Sequence, residues 1–225
     1  MKRILAAAIA AALLLSGCTS ASRPAESAPP TEMPSPSPTP VVTPTPEPEP
    51  ADDELVLVRD YIPGIFIDLK YATTDNFTGR VIYDSDEAYL RYGTVKKLLC
   101  AQNELSGRGL SLKIWDAYRP VSAQFKLWEI CPNPVYVSDP NNGYSKHSRA
   151  NTVDITLVTD TGKSIPMPSG FDDFTSLADR DYSDVSDEAA ENARLLENVM
   201  VENGFVPYSG EWWHYSDSVA YDVYG

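Results

Sequence analysis

Histidine is scarce in this chain, and each of its two copies lies beside residues that could bind or activate a metal ion. His147 stands in the segment Ser145–Arg149, and Asp154 follows seven residues later. His214 stands three residues after Glu211. Two imidazoles and one carboxylate form the three-ligand set of a catalytic zinc site, which leaves a fourth position for water. The spacing also admits another interpretation, in which two partly buried histidines only make hydrogen bonds.

Glu211 supplies a second component of this chemistry. A carboxylate near a metal could act as the base that removes a proton from water. On a regular strand, residues three apart point to opposite faces. Glu211 and His214 therefore converge only if the chain bends or bulges between them.

The composition excludes several other classes of site. The 225-residue chain carries 18 Lys and Arg against 32 Asp and Glu, which gives a net charge of −14. We do not expect such a chain to bind nucleic acid or anionic lipid, because both attract basic patches. With three cysteines, the chain also lacks the residues for a cysteine-rich zinc module or a dense disulfide scaffold.

Residues 1–17 have the pattern of an export signal. Lys2 and Arg3 precede an apolar run of twelve residues, which is too short to span a bilayer. The run ends in Leu15-Ser16-Gly17-Cys18, which resembles the lipobox of bacterial lipoproteins. This resemblance implies cleavage before Cys18, acylation of that cysteine, and an extracytoplasmic protein whose lipid holds it to the membrane. The other interpretation is an ordinary secreted protein in which Cys18 is incidental.

Residues 18–54 form a different kind of segment. Eleven of the chain's 19 prolines lie between Pro24 and Pro50, among Ser, Thr and Glu residues without apolar periodicity. Such a segment cannot bury enough apolar surface to offset its ordering entropy, and polyproline II is its expected local state. We therefore divide the chain into a signal peptide at 1–17, a lipidated cysteine and linker at 18–54, and one folded catalytic domain at 55–225.

The folded domain must position these residues, and its apolar spacing predicts both strands and helices. Alternating and β-branched residues predict strands at 65–70, 110–117, 152–158 and 211–216. Helical spacing predicts helices at 86–106, 121–130 and 186–203. Because this order lacks a βαβ rhythm, we expect a single α+β domain with an antiparallel sheet and flanking helices.

Five short segments, which extend over nearly the whole domain, carry motifs that occur together in one enzyme family. In chain order they are Lys70–Gly79, Trp115–Pro120, Ser145–Arg149 with Asp154–Leu157, Pro166–Asp172, and Glu211–Tyr215. The combination of DAYRP, SxHS with a following Asp, and EWWHY is specific. The domain thereby resembles the VanX-type D-alanyl-D-alanine dipeptidases, zinc enzymes of the D,D-peptidase/Hedgehog fold.

The resemblance implies a metal centre and a base. In the family, the histidine and aspartate of the middle motif and the histidine of the last motif bind zinc. This implies one Zn²⁺ per chain, held by His147, Asp154 and His214. The glutamate of the EWWHY motif implies that Glu211 is the general base.

Arg119, from the DAYRP motif, is implied to stabilise the oxyanion that develops during peptide hydrolysis. A guanidinium that is always charged suits this role. The other interpretation is a structural ion pair with Asp116, and such a pair could also orient a catalytic arginine.

The resemblance also places a carboxylate against the free ammonium group of a dipeptide substrate. The corresponding residue is Asp172, with the adjacent Asp173 as a competitor. A solvated acidic turn is the other interpretation of this pair. Ser145 and Tyr71 are implied to line the same pocket.

Three positions depart from the superfamily pattern Ser-x-His-x-x-Gly-x-Ala-x-Asp or from close relatives. Ala150 stands in place of glycine, Thr152 in place of alanine, and Lys146 where close relatives carry a second serine. The implied ligands are unchanged. We therefore expect zinc binding to persist and the substrate preference near His147 to differ.

Cys100 and Cys131 lie outside the implied ligand set, on the two predicted helices that flank the DAYRP strand. Because an exported domain permits a disulfide, a bridge between these cysteines is one interpretation. Two buried free thiols are the other.

Three functions are compatible with these observations. The first is zinc-dependent hydrolysis of a small D-amino-acid dipeptide, D-Ala-D-Ala. The second is a D,D-carboxypeptidase that acts on peptidoglycan-derived stem peptides, which the extracytoplasmic address favours. The third is a non-catalytic, zinc-containing wall-binding module, and Glu211 and Arg119 argue against it because such a module needs no base beside its metal. In each case the membrane is contacted only through the lipid anchor.

Overall fold

The computed structural model describes residues 48–225, and within them strands and helices alternate irregularly. In chain order the elements are β1 (Leu55–Leu57), α1 (Val58–Tyr61), β2 (Phe66–Ile67), β3 (Tyr89–Arg91), α2 (Tyr92–Ser106), β4 (Leu110–Asp116), α3 (Val121–Ile130), β5 (Thr152–Thr159), α4 (Asp187–Glu202), β6 (Phe205–Tyr208) and β7 (Glu211–Asp217). Short 3₁₀ turns cover Lys70–Ala72, Lys146–Arg149 and Ser176–Ala178.

A five-stranded sheet in the order β2-β4-β5-β7-β6 forms the frame of the domain. The pairs β4–β5, β5–β7 and β6–β7 are antiparallel, and β2 runs parallel to β4. A separate antiparallel pair joins β1 to β3. The α+β fold is therefore confirmed, and its sheet is antiparallel except for the short strand β2.

Side-chain alternation on β5 separates the core from the polar face of the sheet. Val153, Ile155 and Leu157 are fully or almost fully buried and belong to the main hydrophobic cluster, which also includes apolar residues of α2 and α4. Asp154 and Thr156 point to the opposite face because successive side chains on a strand alternate. The sheet thus buries its apolar side chains under the helices and presents Asp154 on its other face.

Most predicted elements agree with the structure to within a residue or two, and two do not. The strand predicted at 65–70 is only Phe66–Ile67, and a 3₁₀ turn begins at Lys70. Residues 86–91 are not helical: Tyr89–Arg91 instead forms β3, and its register partners are Leu55–Leu57 of β1. Pairing with a segment more than thirty residues earlier overrides the local helical spacing at this point. The α-helix begins only at Tyr92, after this pairing ends.

Of the two interpretations of the cysteines, the bridge is wrong, because Cys100 and Cys131 are both free thiols; they are not both buried either. Cys100 is exposed on α2, whereas Cys131 is partly buried and packs against the main hydrophobic cluster. The two cysteines therefore lie in different environments.

The signal peptide predicted at 1–17, the predicted lipidation site Cys18 and most of the predicted linker fall outside the described residues. Within residues 48–225, no helix has both the length and the apolar character needed to cross a membrane.

Candidate active site

Three elements bring the predicted metal ligands together. Asp154 and His214 lie directly opposite each other on the neighbouring strands β5 and β7. His147 comes from the 3₁₀ turn Lys146–Arg149, just before β5. One ligand atom from each of these residues lies within 4.8 Å of the others, so the three could hold a metal ion.

Hydrogen bonds on the side away from the cavity fix the orientation of His147. Its Nδ1 lies 2.9 Å from the carbonyl oxygen of Ala117, at the end of the DAYRP strand. A carbonyl oxygen can only accept, so Nδ1 carries the proton and Nε2 offers its lone pair to the site. Ser145 supports the same turn, since its hydroxyl accepts a hydrogen bond from the backbone N–H of His147 at 3.3 Å.

The nitrogen and oxygen atoms of the three residues face a common point. His147 Nε2 lies 3.3 Å from His214 Nδ1 and 3.4 Å from Asp154 Oδ2. His214 Nδ1 lies 2.9 Å from Asp154 Oδ1. Burial opposes ionisation of Asp154, but the two imidazoles outweigh it and hold the pKa of this carboxyl well below its usual range. Asp154 is thus a permanent anion between two nitrogen donors.

Glu211 approaches this cluster from the start of β7. Its Oε2 lies 3.4 Å from His214 Nδ1, although the two residues are three apart on one strand. The convergence requires the irregularity predicted from the sequence, and the β6–β7 ladder has one: its register shifts between Pro207 and Tyr208. Burial, followed by the negative charge of Asp154, raises the pKa of Glu211 to about 7.

Arg119 is held rigidly beside the same cavity. Its Nε and Nη2 donate to Asp116 Oδ2 at 3.1 and 2.5 Å, and its Nη1 donates to Gln124 at 2.9 Å. Asp116 is fully buried and also accepts a hydrogen bond from Tyr83. These contacts use three of the five guanidinium N–H groups, so two remain for another acceptor. The ion pair with Asp116 therefore exists, and it also orients the arginine toward the cavity.

Asp172 faces the cavity, and Asp173 does not. The carboxylate of Asp172 accepts a hydrogen bond from the Tyr71 hydroxyl at 2.8 Å, and its backbone adopts a left-handed φ of 53°. A non-glycine residue in this region marks local strain, which concentrates at functional sites. The carboxylate of Asp173 instead binds Thr175, through its backbone N–H at 3.0 Å and its hydroxyl at 2.6 Å.

A cavity of about 300 Å³ contains all of these groups. Eight predicted site residues line it, namely Tyr71, Arg119, Ser145, His147, Asp154, Asp172, Glu211 and His214. The sequence analysis missed Pro134, Val135, Tyr136, Ser138 and Tyr208, which complete the wall. They come from loops and from the end of β6, where no motif or periodicity marks them.

The departures from the superfamily pattern have visible consequences. Ala150 is buried and adopts φ 59° and ψ 29°, the left-handed conformation that glycine reaches without strain. Thr152 is also buried, and its hydroxyl pairs with that of Ser216 on β7 at 3.0 Å. Lys146 lies at the cavity wall, next to His147.

Comparison with known proteins bears on this site as a whole. Residues 51–222 match the model of peptidase family M15, described as D-ala-D-ala dipeptidase. The D-alanyl-D-alanine dipeptidase of Escherichia coli (strain K12) is 39% identical over 162 residues, which cover 72% of this chain and 83% of that protein. The enzyme of the same name from Enterococcus faecium is 35% identical, covering 69% and 87% of the two chains. That from Streptomyces coelicolor is 35% identical, covering 72% and 91%.

The family match contains every metal-site and cavity residue described above. It also confirms the resemblance predicted from the five motifs. On the strength of this match, the chain belongs to the D-ala-D-ala dipeptidase family of M15 peptidases.

Proposed function

We propose that this chain hydrolyses the dipeptide D-Ala-D-Ala with one zinc ion as cofactor. Membership of the peptidase family and the names of its relatives support the reaction. The single observation that carries the mechanism is the convergence of His147, Asp154 and His214 on one point, with the Glu211 carboxylate 3.4 Å from His214.

The donor set suits zinc. A tetrahedral site with zinc–ligand bonds of about 2.0–2.1 Å has ligand atoms about 3.3–3.4 Å apart. His147 Nε2 lies 3.3 Å from His214 Nδ1 and 3.4 Å from Asp154 Oδ2, in agreement with that edge, whereas His214 Nδ1 and Asp154 Oδ1 are closer, at 2.9 Å. Zinc held there would act as a Lewis acid and lower the pKa of water toward neutrality.

Glu211 moves the proton in this proposal. Its carboxylate accepts a proton from the attacking water and delivers it to the nitrogen of the leaving amine. Burial raises the pKa of Glu211 to about 7 in the metal-free protein. A carboxylate placed within reach of the reacting groups can accept a proton and later return it.

Arg119 stabilises the negative charge that grows on the carbonyl oxygen of the substrate. Its two uncommitted N–H groups are available because Asp116 and Gln124 occupy the other three. A donor that is fixed in advance stabilises developing charge without reorganisation.

Asp172 binds the free ammonium group of the substrate. It lines the cavity with Tyr71 beside it, and no other aspartate or glutamate besides Asp154 and Glu211 lines the described part of this wall. A cavity of about 300 Å³ lies at the small end of ligand pockets, which favours a dipeptide.

The decisive experiment compares D-Ala release from D-Ala-D-Ala and from a stem pentapeptide that ends in D-Ala-D-Ala. We expect rapid release from the dipeptide, loss of activity after chelation, and recovery when zinc is restored. Faster release from the pentapeptide would identify a D,D-carboxypeptidase. No release from either substrate, with zinc bound, would identify a wall-binding module.

One observation favours the carboxypeptidase as the second candidate. Val135 and Tyr136 line the cavity yet remain well exposed, with 78% and 45% of their surface accessible. Exposed apolar residues at the mouth of a cavity could contact the rest of a longer peptide.

We also propose that the protein is exported and anchored by a lipid on Cys18. Three features support this location: the basic start, the twelve-residue apolar run and the lipobox-like Leu15–Cys18. Labelling with a fatty-acid analogue should mark the wild-type protein and not Cys18→Ala. An unlabelled wild-type protein in the medium would contradict lipidation.

A further inference from the structure

The strand that carries Glu211 and His214 breaks its pairing at one place. Pro207 lies opposite Tyr215, whereas the next residue, Tyr208, lies opposite Glu211. Three residues of β7, 212–214, therefore have no partner on β6. Proline has no backbone N–H and cannot continue the ladder at this point. The extra residues allow Glu211 and His214 to face the same site.

A break of this kind leaves backbone carbonyls without ladder partners, and side-chain donors can pair with them. Arg180 provides them. Its Nε donates to the carbonyl oxygen of Tyr208 at 2.7 Å, and its Nη2 donates to that of His214 at 3.2 Å. One guanidinium therefore spans the irregularity and holds both of its sides.

Arg180 is itself anchored on the helix side. Its Nη1 donates to Glu197 of α4 at 2.9 Å and to the Tyr215 hydroxyl at 3.1 Å. The guanidinium carbon lies 4.6 Å from the centre of the Tyr215 ring. Only 10% of the Arg180 side chain is exposed.

We propose that Arg180 is a positioning residue for the metal centre, because it holds the irregular start of β7 in the shape that brings His214 and Glu211 together. This inference rests on the zinc site proposed above. Arg180 lies between a 3₁₀ turn and α4, in none of the five motif segments. Its hydrogen bonds reach the site through the backbone of β6 and β7, and its positive charge also favours the ionised form of Glu211.

The planar fork of arginine is essential to this role. Its nitrogens diverge in fixed directions, so one side chain can donate to two carbonyls and an acidic anchor at once. A lysine ammonium retains the charge but cannot hold the two carbonyls at a fixed separation. Replacement by lysine therefore separates the effect of geometry from that of charge.

The test measures zinc affinity by competition with a chromogenic chelator, using full-length Arg180→Ala and Arg180→Lys proteins. We expect zinc to bind about 10–100-fold more weakly to Arg180→Ala, as for other residues that orient metal ligands. Because lysine lacks the planar fork, we expect Arg180→Lys to show at least about half of that weakening on a logarithmic scale. The absorption spectrum of the Co²⁺-substituted proteins should change as well, since it reports the geometry of the ligands.

Arg194→Ala is the matched control. Arg194 lies on α4 over the Tyr182 ring at 5.5 Å, and it donates no hydrogen bond to β6 or β7 among the described residues. The control also removes one positive charge. It should change zinc affinity by less than twofold and leave the Co²⁺ spectrum unshifted.

Unchanged zinc affinity and an unchanged Co²⁺ spectrum in Arg180→Ala would overturn the proposal. If Arg180→Ala does not fold, Arg180→Lys decides the question: wild-type affinity and spectrum in that variant would show that the fork is not required. A wild-type protein that binds no zinc would refute the metal site itself, and that outcome is distinct because it appears before any substitution is made.

Discussion

Three carboxylates share one cavity, and their immediate contacts give each a different chemistry. Asp154 lies between two imidazoles, which keep it ionised. Asp172 accepts a hydrogen bond from a tyrosine and faces the space a substrate would fill. Glu211 accepts no hydrogen bond among the described residues, so its oxygens are available for a proton. Because their environments differ, three neighbouring carboxyl groups can serve one site as a metal ligand, a substrate-binding group and a base.

Replacing the base should abolish turnover and spare the metal. In Glu211→Gln we expect kcat to fall by about 10²–10⁴-fold, the usual contribution of general acid–base catalysis, with zinc content near one per chain. His214→Ala provides the contrast, since it should lose both zinc and activity. Metal analysis and D-Ala release measured on the same samples check both statements. Near-normal turnover in Glu211→Gln would contradict the assignment.

Removing the ammonium contact should change selectivity. A charge-assisted hydrogen bond contributes about 1.5–3 kcal/mol, so Asp172→Asn should lower kcat/KM for D-Ala-D-Ala by about one to two orders of magnitude. The rate for N-acetyl-D-Ala-D-Ala, which has no ammonium group, should barely change. Asp173→Asn is the matched control, because its carboxylate binds Thr175 outside the cavity. An unchanged ratio between the two substrates in Asp172→Asn would refute ammonium recognition.

The elements that carry the ligands could be predicted because they are local patterns. The strand predicted at 152–158 forms β5, which extends to Thr159. The helix predicted at 186–203 begins at Asp187, after Ser186, whose hydroxyl accepts a hydrogen bond from the Ala189 N–H at 3.2 Å. An irregularity in β7 was expected because Glu211 and His214 must face the same site, but its cause could not be read from the sequence. It depends on Pro207 in a neighbouring strand and on Arg180 in a distant loop, and no local pattern links those residues.

The same distinction between local and distant causes explains why some predictions were wrong and some cavity residues were not predicted. Residues 86–91 have helical spacing, yet β1 pairs with part of them, and this pairing is invisible without knowledge of the fold. The compartment suggested a bridge between Cys100 and Cys131 as one interpretation, but both are free thiols. The cavity wall at 134–138 lies in a loop without periodicity.

The turn that carries His147 stores strain at Ala150, and substitutions there should show it. Valine, whose branched side chain strongly disfavours a positive φ, should lower the free energy of unfolding by about 1–3 kcal/mol and weaken zinc binding. Glycine relieves the strain but loses more entropy on folding, so Ala150→Gly should stay within about 1 kcal/mol of wild type. Urea unfolding with parallel zinc analysis checks both. Wild-type stability in Ala150→Val would show that the turn is not strained.

The cavity belongs to the whole domain, because its residues come from segments far apart in the sequence. Tyr71 precedes the sheet's central strands, Arg119 follows β4, Asp172 lies in the loop before α4, and His214 lies on β7. The site therefore needs residues that are spread from Tyr71 to His214. The electrostatics of the cavity therefore contribute to global stability, and stability should report on them.

Asp172 links the cavity to the pH dependence of folding in the metal-free protein. Burial raises the pKa of Asp172 from 3.8 to about 8, and the negative charges of Asp154 and Glu211 act in the same direction. The hydrogen bond from Tyr71 and the charge of Arg119 oppose this shift. Between these values the folded protein retains a proton that the unfolded chain has lost. Stability contributed by this group is therefore present below about pH 4 and is lost as the pH rises toward 8.

Asp172→Asn should remove this dependence. One retained proton corresponds to a loss of up to about 1.4 kcal/mol in unfolding free energy for each pH unit. After chelation, urea unfolding at pH 5, 6 and 7 should show a steeper decline for wild type than for Asp172→Asn. Glu211 also has a raised pKa, but both proteins contain it, so the difference between their slopes isolates Asp172. Parallel slopes would show that Asp172 is already ionised across this range, and its carboxylate would then meet the substrate ammonium without first losing a proton.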